Sequence, residues 1–188
     1  MTVLDARGRA EREPVIAANS SSDSPSLESA SNLVELMASR GLLIAVAESL
    51  TGGLLAAELT RPPGVSQVLC GALVAYRTAF KHSLLGVSAD VLAQHGPVHS
   101  EVARQMAEGV RALFALEGVP AAIGVSTTGV AGPDSPDGVP VGTAFVGISV
   151  GADTRVTELG LSGTRDQIRA QVVERAVQII VDEVGDTS

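Results

Sequence analysis

The chain has 188 residues, of which 45% are apolar, and a formal net charge of −8 at pH 7. Its length is typical of one domain that buries its own core. The negative charge and an aromatic content of only 2% argue against a general contact with the phosphate backbone of nucleic acid, which requires clustered positive charge. Cys70 is the only cysteine, so no disulfide can form within the chain.

The N-terminus carries no secretory signal pattern, and its apolar runs fall well short of the roughly 20 residues that span a bilayer. The sequence therefore predicts a cytoplasmic protein without a membrane partner. Residues 1–26 are small and polar without an apolar period, which predicts a flexible N-terminal tail ahead of a single domain over residues 27–188. Helical spacing of apolar residues predicts the first helix from Leu27 to a stop at Gly41.

The remaining patterns predict alternating strands and helices. In chain order they are a strand over 42–47, a helix over 54–61, a strand over 69–76, a short helix that opens with an N-cap at Ser88, a helix over 100–118, a strand over 121–132 that ends in a glycine-rich loop, paired strands over 140–150 and 154–162, and a closing helix over 164–184. Unbroken apolar strands between helices indicate an α/β protein with a three-layer α/β/α architecture. The late hairpin predicts a mixed sheet.

Ligands of such sheets bind beyond the carboxyl ends of the strands. Three segments follow predicted strands and are therefore candidate site segments: Glu48–Gly53, Tyr76–Lys81 and Ser126–Asp134.

The stretch "AESLTGG" places Ser49 directly after a predicted buried strand. One interpretation is structural, with Ser49 or Thr51 as the N-cap of the following helix, worth about 1 kcal/mol. The other is chemical: the Ser49 hydroxyl is a nucleophile at a strand-to-helix turn, and nearby backbone amides stabilise an oxyanion. Glycines at positions 52 and 53 suit the chemical interpretation because they let the backbone approach a ligand closely.

Lys81 is the only lysine among 13 basic residues, and it lies five residues after Tyr76, the only tyrosine. Arginine cannot act as a base because its guanidinium stays protonated in proteins, whereas a desolvated lysine can. The alternative is that Lys81 is an ordinary surface lysine. Tyr76 either hydrogen-bonds the lysine or the serine, or packs in the core with its hydroxyl at the edge.

The stretch "STTGVAGPDSPDGVPVG" predicts a long, stiff loop whose amides are suited to a phosphate or carboxylate, although such loops are also common as plain connections. It matches neither the dinucleotide-binding nor the Walker pattern. Further along, "GTRDQIR" places Arg165 and Arg169 one helical turn apart, either as a solvated face or within reach of a substrate phosphate. The three histidines and Cys70 are not spaced as zinc ligands, so no metal site is predicted.

Several of these stretches resemble one known family. The matching motifs, in order, are "AESLTGG", "VAYRTAFKHSLLGV", "LAQHGPVHSEVA", "TGVAGPDSPDGVPVGTAFVG" and "SGTRDQIR". They are similar to motifs of the C-terminal domain of the CinA (competence/damage-inducible) family, and the resemblance covers about residues 27–184. The N-terminal domain of full-length CinA proteins, with its metal-dependent chemistry, is then expected to be absent.

The resemblance implies a nicotinamide mononucleotide amidohydrolase that uses a Ser/Lys mechanism in pyridine nucleotide salvage. It implies a dimeric α/β/α protein without a metal or organic cofactor. The serine, lysine and tyrosine of the family motifs fall on Ser49, Lys81 and Tyr76, which are the expected catalytic residues. The expected substrate-binding residues are Thr51, Gly52, Gly53, Thr128, Gly129, Gly132 and Arg165.

The chain departs from the family pattern at four positions that bear on the polarity of the pocket. Arg77 and Thr78 stand where members usually carry Ser-Asn, His99 where they often carry serine, and Val139 where lysine is common. Two alternatives to the amidohydrolase therefore stay open. One is a regulatory protein that binds a pyridine nucleotide or another small anion without turnover, and the other is a hydrolase of a different small amide.

Overall fold

The computed structural model describes residues 25–135 and 138–186. The elements are α1 (Pro25–Arg40), β1 (Ile44–Glu48), α2 (Leu54–Leu59), a 3-10 turn (Val65–Gln67), β2 (Leu69–Val74), α3 (Thr78–Leu85), α4 (Ala89–His95), α5 (Ser100–Leu113), β3 (Ile123–Gly129), β4 (Thr143–Val150), β5 (Asp153–Gly160) and α6 (Arg165–Asp186). Most of the predicted tail, residues 1–24, lies outside the described residues. Pro25 and Ser26, predicted to belong to the tail, are instead the first two residues of α1.

The five strands form one sheet in the order β2-β1-β3-β4-β5. β1 runs parallel to both β2 and β3, whereas β4 and β5 are antiparallel to their neighbours. This confirms the predicted mixed sheet. In the register, Glu48 at the end of β1 lies opposite Val74 of β2 on one side and Thr127 of β3 on the other. The carboxyl ends of the three parallel strands therefore meet at one edge.

Helices cover both faces of the sheet, which confirms the three-layer α/β/α fold. On one face α1, α2 and α6 pack against each other over a core that includes Leu33, Leu55 and Ile180. On the other face α3 and α5 pack over a second core, which includes Leu85 and Met106. Across the described residues, no helix combines the length and the apolar character needed to cross a membrane.

The helix α3 is the main element that the sequence did not predict. Its buried residues are Lys81 and Leu85, one turn apart, so a lysine occupies a position where a helical apolar pattern would show a hydrophobic residue. A second difference is the end of α5 at Leu113 rather than near residue 118. The residues after Leu113 form a turn instead: Leu116 and Val119 make an antiparallel bridge, and Glu117 between them has a φ of 51°.

A glycine in α5 allows α3 to lie close to it. A Cβ built on Gly109 would lie 1.9 Å from the carbonyl oxygen of Leu85, a contact that real atoms do not make. We expect Gly109→Ala to lower the free energy of unfolding by about 1–3 kcal/mol, because overpacking outweighs the gain in helix propensity. Urea denaturation measures this. The matched control is Gly185→Ala in α6, where a Cβ meets nothing within 4 Å and no loss is expected; an equal loss at both positions would contradict the packing argument.

Candidate active site

Ser49 begins the loop between β1 and α2, and its backbone is held on both sides. Its N–H donates to Thr127 O of β3 at 3.0 Å, and its own carbonyl accepts from Gly52 N at 3.2 Å. The residue is 9% exposed, and its Oγ makes no hydrogen bond to any described residue. The loop therefore places the Ser49 hydroxyl at the carboxyl edge of the sheet and leaves it without a hydrogen bond to the described residues.

The amides at the start of the following helix are capped by Glu48 and not by Ser49 or Thr51, the two residues of the structural interpretation. The fully buried Glu48 carboxylate accepts hydrogen bonds from the amides of Gly53 (2.8 Å), Leu55 (3.2 Å) and Ala56 (2.8 Å). The hydroxyl of Thr51 instead lies 2.7 Å from that of Thr127, in the interior. The N-cap interpretation of Ser49 and Thr51 is therefore wrong, because the preceding acidic residue already satisfies these amides.

We expect Glu48→Gln to lower the free energy of unfolding by about 1–3 kcal/mol, because its amide group would face backbone donors that need an acceptor. Chemical denaturation provides the measurement. The control is Glu58→Gln in the same helix, whose ion pair with the half-exposed Arg61 is worth less than about 1 kcal/mol. Equal losses in the two variants would rule out a special role for the Glu48 carboxylate in stability.

Lys81 reaches the same edge of the sheet from α3 and is only 1% exposed. Its Nζ donates to Thr128 Oγ1 at 3.4 Å and lies 3.5 Å from Met106 Sδ. Burial lowers the pKa of Lys81 from 10.5 to about 7, since the charged form loses its hydration there. The burial excludes the interpretation of Lys81 as an ordinary surface lysine, and the lowered pKa favours the neutral amine near pH 7.

Thr128 determines how the lysine is held. Its hydroxyl donates to Pro97 O at 2.8 Å and so presents a lone pair to the Lys81 amine. Because that hydroxyl proton is committed elsewhere, Lys81 acts as the donor in the contact between them. The lone pair of a neutral Lys81 then remains available for another proton.

A cavity of about 360 Å³ brings most of the predicted site residues together. Those that line it are Ser49, Tyr76, Lys81, Thr128, Gly129, Gly132 and Arg165. Thr51, Gly52 and Gly53 are not among the lining residues, and Arg169 lies close to Gly52. Of the four departures from the family pattern, Thr78 lines the cavity, while Arg77, His99 and Val139 do not.

Arg165 and Tyr76 meet at the open side of the cavity. Arg165 Nη2 donates to the Tyr76 hydroxyl at 2.9 Å, and Nη1 donates to Gly132 O at 2.6 Å. Tyr76 is 59% exposed and so does not pack in the core, and among the described residues its hydroxyl makes no hydrogen bond to Lys81 or Ser49. This part of the rim presents a fixed positive charge, which suits an anionic group of a ligand.

Two residues that support the serine loop were not predicted. Glu48 is one, and Arg169 is the other: its guanidinium donates to Leu50 O at 3.1 Å and to Thr51 O at 2.9 Å. The signal for Glu48 was an acidic residue at the end of an otherwise apolar strand. For Arg169 the only signal was its spacing of one turn from Arg165. That spacing does not distinguish an arginine on a solvated helix face from one that binds the carbonyls of a neighbouring loop.

His99 and the larger cavity lie outside this arrangement. The His99 ring accepts from Glu101 N as the cap of α5 and stacks on His95, with ring centroids 4.1 Å apart. A cavity of about 600 Å³ between α2 and α6 is lined by residues such as Glu58 and Glu174, and it contains neither Ser49 nor Lys81. Within the described residues, no group of three or more His, Cys, Asp or Glu side chains is arranged to hold a metal ion.

Solved structures with this fold are known. The chain is similar to the crystal structure of a CinA superfamily protein from Klebsiella pneumoniae, with a TM-score of 0.80, 25% identity, and coverage of 85% of this chain and 98% of that one. It is also similar to the competence/damage inducible protein from Agrobacterium tumefaciens, with a TM-score of 0.77, 29% identity, and coverage of 85% and 96%.

Curated relatives are closer in sequence but longer. A protein of Geobacillus kaustophilus named "Putative competence-damage inducible protein" is 46% identical over 142 residues, which are 75% of this chain and 33% of the relative. A CinA-like protein of Gemmatimonas aurantiaca is 44% identical over 149 residues, or 78% and 32%. The chain thus spans about a third of the length of these relatives. The family model of the CinA C-terminal domain matches residues 27–184, and the chain belongs to that family.

Proposed function

We propose that this protein hydrolyses the carboxamide of nicotinamide mononucleotide, which yields nicotinic acid mononucleotide and ammonia. The observation that carries the proposal is the buried Lys81 amine, with its pKa lowered to about 7, in the same cavity as the unengaged Ser49 hydroxyl. Membership of the CinA C-terminal domain family supports the same reaction class, since the family includes amidohydrolases of this nucleotide.

The chemistry uses a serine nucleophile and a lysine base. Neutral Lys81 takes the proton from Ser49 Oγ as that oxygen attacks the carbonyl carbon of the amide. The protonated lysine then gives this proton to the departing nitrogen, which leaves as ammonia, and Ser49 carries an ester. Water hydrolyses the ester by the same route, with Lys81 again as base, and the carboxylic acid product is released.

The substrate is held mainly by its charged end. The guanidinium of Arg165, fixed by Gly132 O and the Tyr76 hydroxyl, faces the rim of the cavity and can bind a 5′-phosphate. Fixing the phosphate places the nicotinamide ring toward the inner end of the cavity, where Lys81 lies. Such positioning supplies much of the rate in this kind of reaction because the reacting groups no longer have to find each other.

The experiment that tests the proposal is release of ammonia from nicotinamide mononucleotide by the purified protein. We expect turnover in the wild type and none above background in Ser49→Ala, while Ser66→Ala, at an exposed serine of the 3-10 turn, keeps full activity. Isothermal titration with the nucleotide shows whether the inactive variant still binds. Unchanged turnover in Ser49→Ala would refute the serine mechanism.

One observation keeps open the second candidate, a protein that binds the nucleotide without turnover. In the described residues the Lys81 amine contacts Thr128 and Met106, whereas no hydrogen bond joins it to Ser49. Catalytic hydrogen bonds are often long before substrate binds, so this geometry is compatible with both functions. Tight binding of the nucleotide without any ammonia release, from this or another small amide, would establish the binding function instead.

A further inference from the structure

Three buried residues of the cavity wall, Leu50, Ala131 and Gly132, have backbone N–H groups that make no hydrogen bond to any described residue. For Leu50 and Ala131, each 5% exposed, the carbonyl of the same peptide unit is hydrogen-bonded and fixes the direction of the N–H, whereas the Ala131 carbonyl, which shares its peptide unit with Gly132 N, accepts from no described residue. Buried amide groups without partners are rare in folded proteins, because each costs the free energy of an unmade hydrogen bond. An amide of this kind at a ligand cavity therefore points to a ligand atom that accepts from it.

The direction of the Leu50 N–H follows from the peptide unit that it shares with Ser49. The Ser49 carbonyl turns inward to accept from Gly52 N at 3.2 Å. In a planar trans peptide the C=O and N–H point in opposite directions. The Leu50 N–H therefore points away from the turn, beside the Ser49 side chain, and Arg169 fixes the next carbonyl, that of Leu50.

The direction of the Ala131 N–H follows from the pairing of the preceding residue. Val130 donates to Thr143 O at 2.9 Å and accepts from Gly142 N at 2.8 Å, so both of its polar backbone groups face the β4 side. By the same planarity, the N–H of Ala131 faces the opposite side, which is the side of β1 and of the serine loop that follows it. The two amides thus come from two walls of one cavity.

Among the other amides of the serine loop, that of Thr51 belongs to a residue that does not line the cavity, and those of Gly52 and Gly53 are already engaged. Gly52 N donates to the Ser49 carbonyl, and Gly53 N donates to the Glu48 carboxylate. The helix amides of Leu55 and Ala56 donate to that same carboxylate. The Glu48 cap therefore removes the start of α2 as a source of donors.

We propose that the N–H groups of Leu50 and Ala131 form the oxyanion hole of this enzyme, an assignment that rests on the proposed amide hydrolysis. As Ser49 Oγ bonds to the amide carbon and its proton passes to Lys81, the C=O π pair moves onto the carbonyl oxygen, and both amides donate to that negative oxygen. When the C–N bond breaks the pair returns and the C=O bond re-forms. Donors fixed in advance at such an oxygen commonly contribute about 10²–10³-fold each to kcat.

Replacing a backbone amide with an ester removes one N–H and leaves the side chain intact. We expect Leu50→2-hydroxyisocaproic acid and Ala131→lactic acid each to lower kcat for nicotinamide mononucleotide by about 10²-fold or more, with KM nearly unchanged. The matched control is Ala89→lactic acid, the same chemical change at an exposed, equally unpartnered amide at the start of α4, and it should keep full activity. Full kcat in both esters at the cavity would overturn the assignment.

A second measurement does not depend on turnover. Pyridine-3-boronic acid forms a tetrahedral adduct with a reactive serine, and we expect it to shift the ¹⁵N–¹H signals of Leu50 and Ala131 downfield in the wild type but not in Ser49→Ala. Such shifts in a protein that releases no ammonia would support the oxyanion hole while the proposed substrate fails. Ammonia release with no shift at either amide, and with both esters fully active, would retain the proposed function and overturn the oxyanion hole.

Discussion

Replacing Lys81 with arginine is expected to lower kcat for amide hydrolysis by about 10²–10⁴-fold. General-base catalysis contributes about 10²–10⁴-fold, and an arginine cannot supply it because its guanidinium stays protonated. Arginine keeps a basic group at the position but cannot become neutral, so a loss of activity reports the loss of the neutral amine. Steady-state ammonia release, with circular dichroism as a test of folding, measures the effect.

The pH profile of the wild type tests the same role from another direction. Because the base is the neutral amine, kcat/KM should rise tenfold per pH unit at low pH and level off above the Lys81 pKa of about 7. Lys81→Met replaces the lysine with a similar unbranched side chain that has no basic group. It tests the same role if the arginine variant does not fold. Turnover that survives in both variants would exclude Lys81 as the base, even if Ser49→Ala is inactive.

The arrangement of the elements was largely predictable from the sequence. Apolar runs such as "LLIAVA" and the hairpin around Gly151 contain the periodic signals from which strands and their pairing follow. Helix α3 could not be predicted in this way, because its buried face carries Lys81, and a lysine breaks the apolar period. The residue proposed as the base is thus also the one that obscured its helix.

The candidate site was predictable as a set of segments but not in its atomic directions. The sequence indicated that Ser49, Lys81 and the loop after β3 would meet, and the structure places all three around one cavity. It did not indicate that Glu48 caps α2, since the carboxylate reaches forward to amides five to eight residues away. Whether a backbone N–H faces a ligand depends on the hydrogen bond made by the carbonyl of the same peptide unit. No pattern of residues in the sequence predicts that hydrogen bond directly.

The buried lysine should also make the stability of the protein depend strongly on pH. Between about pH 7 and pH 10.5 the unfolded chain holds a proton on Lys81 that the folded chain does not, so unfolding takes up a proton. Raising the pH in this window then disfavours unfolding, and stability rises by about 1.4 kcal/mol per pH unit. Over the whole window the gain approaches about 5 kcal/mol. Below pH 7 both states are protonated, and the full cost of burying the charge remains.

The difference between the wild type and Lys81→Met isolates this effect, because groups such as Cys70 titrate in both proteins and cancel. We expect the wild-type free energy of unfolding, measured by urea denaturation at half-unit steps from pH 6 to pH 9.5, to rise relative to the variant above about pH 7. Lys81 is the only lysine, so no other ammonium group on a side chain contributes to the slope. Two parallel curves would mean that the amine keeps an ordinary pKa in the folded protein. In that case the Lys81 amine would be protonated at neutral pH. It could then not act as the base, and the proposed serine mechanism would be refuted.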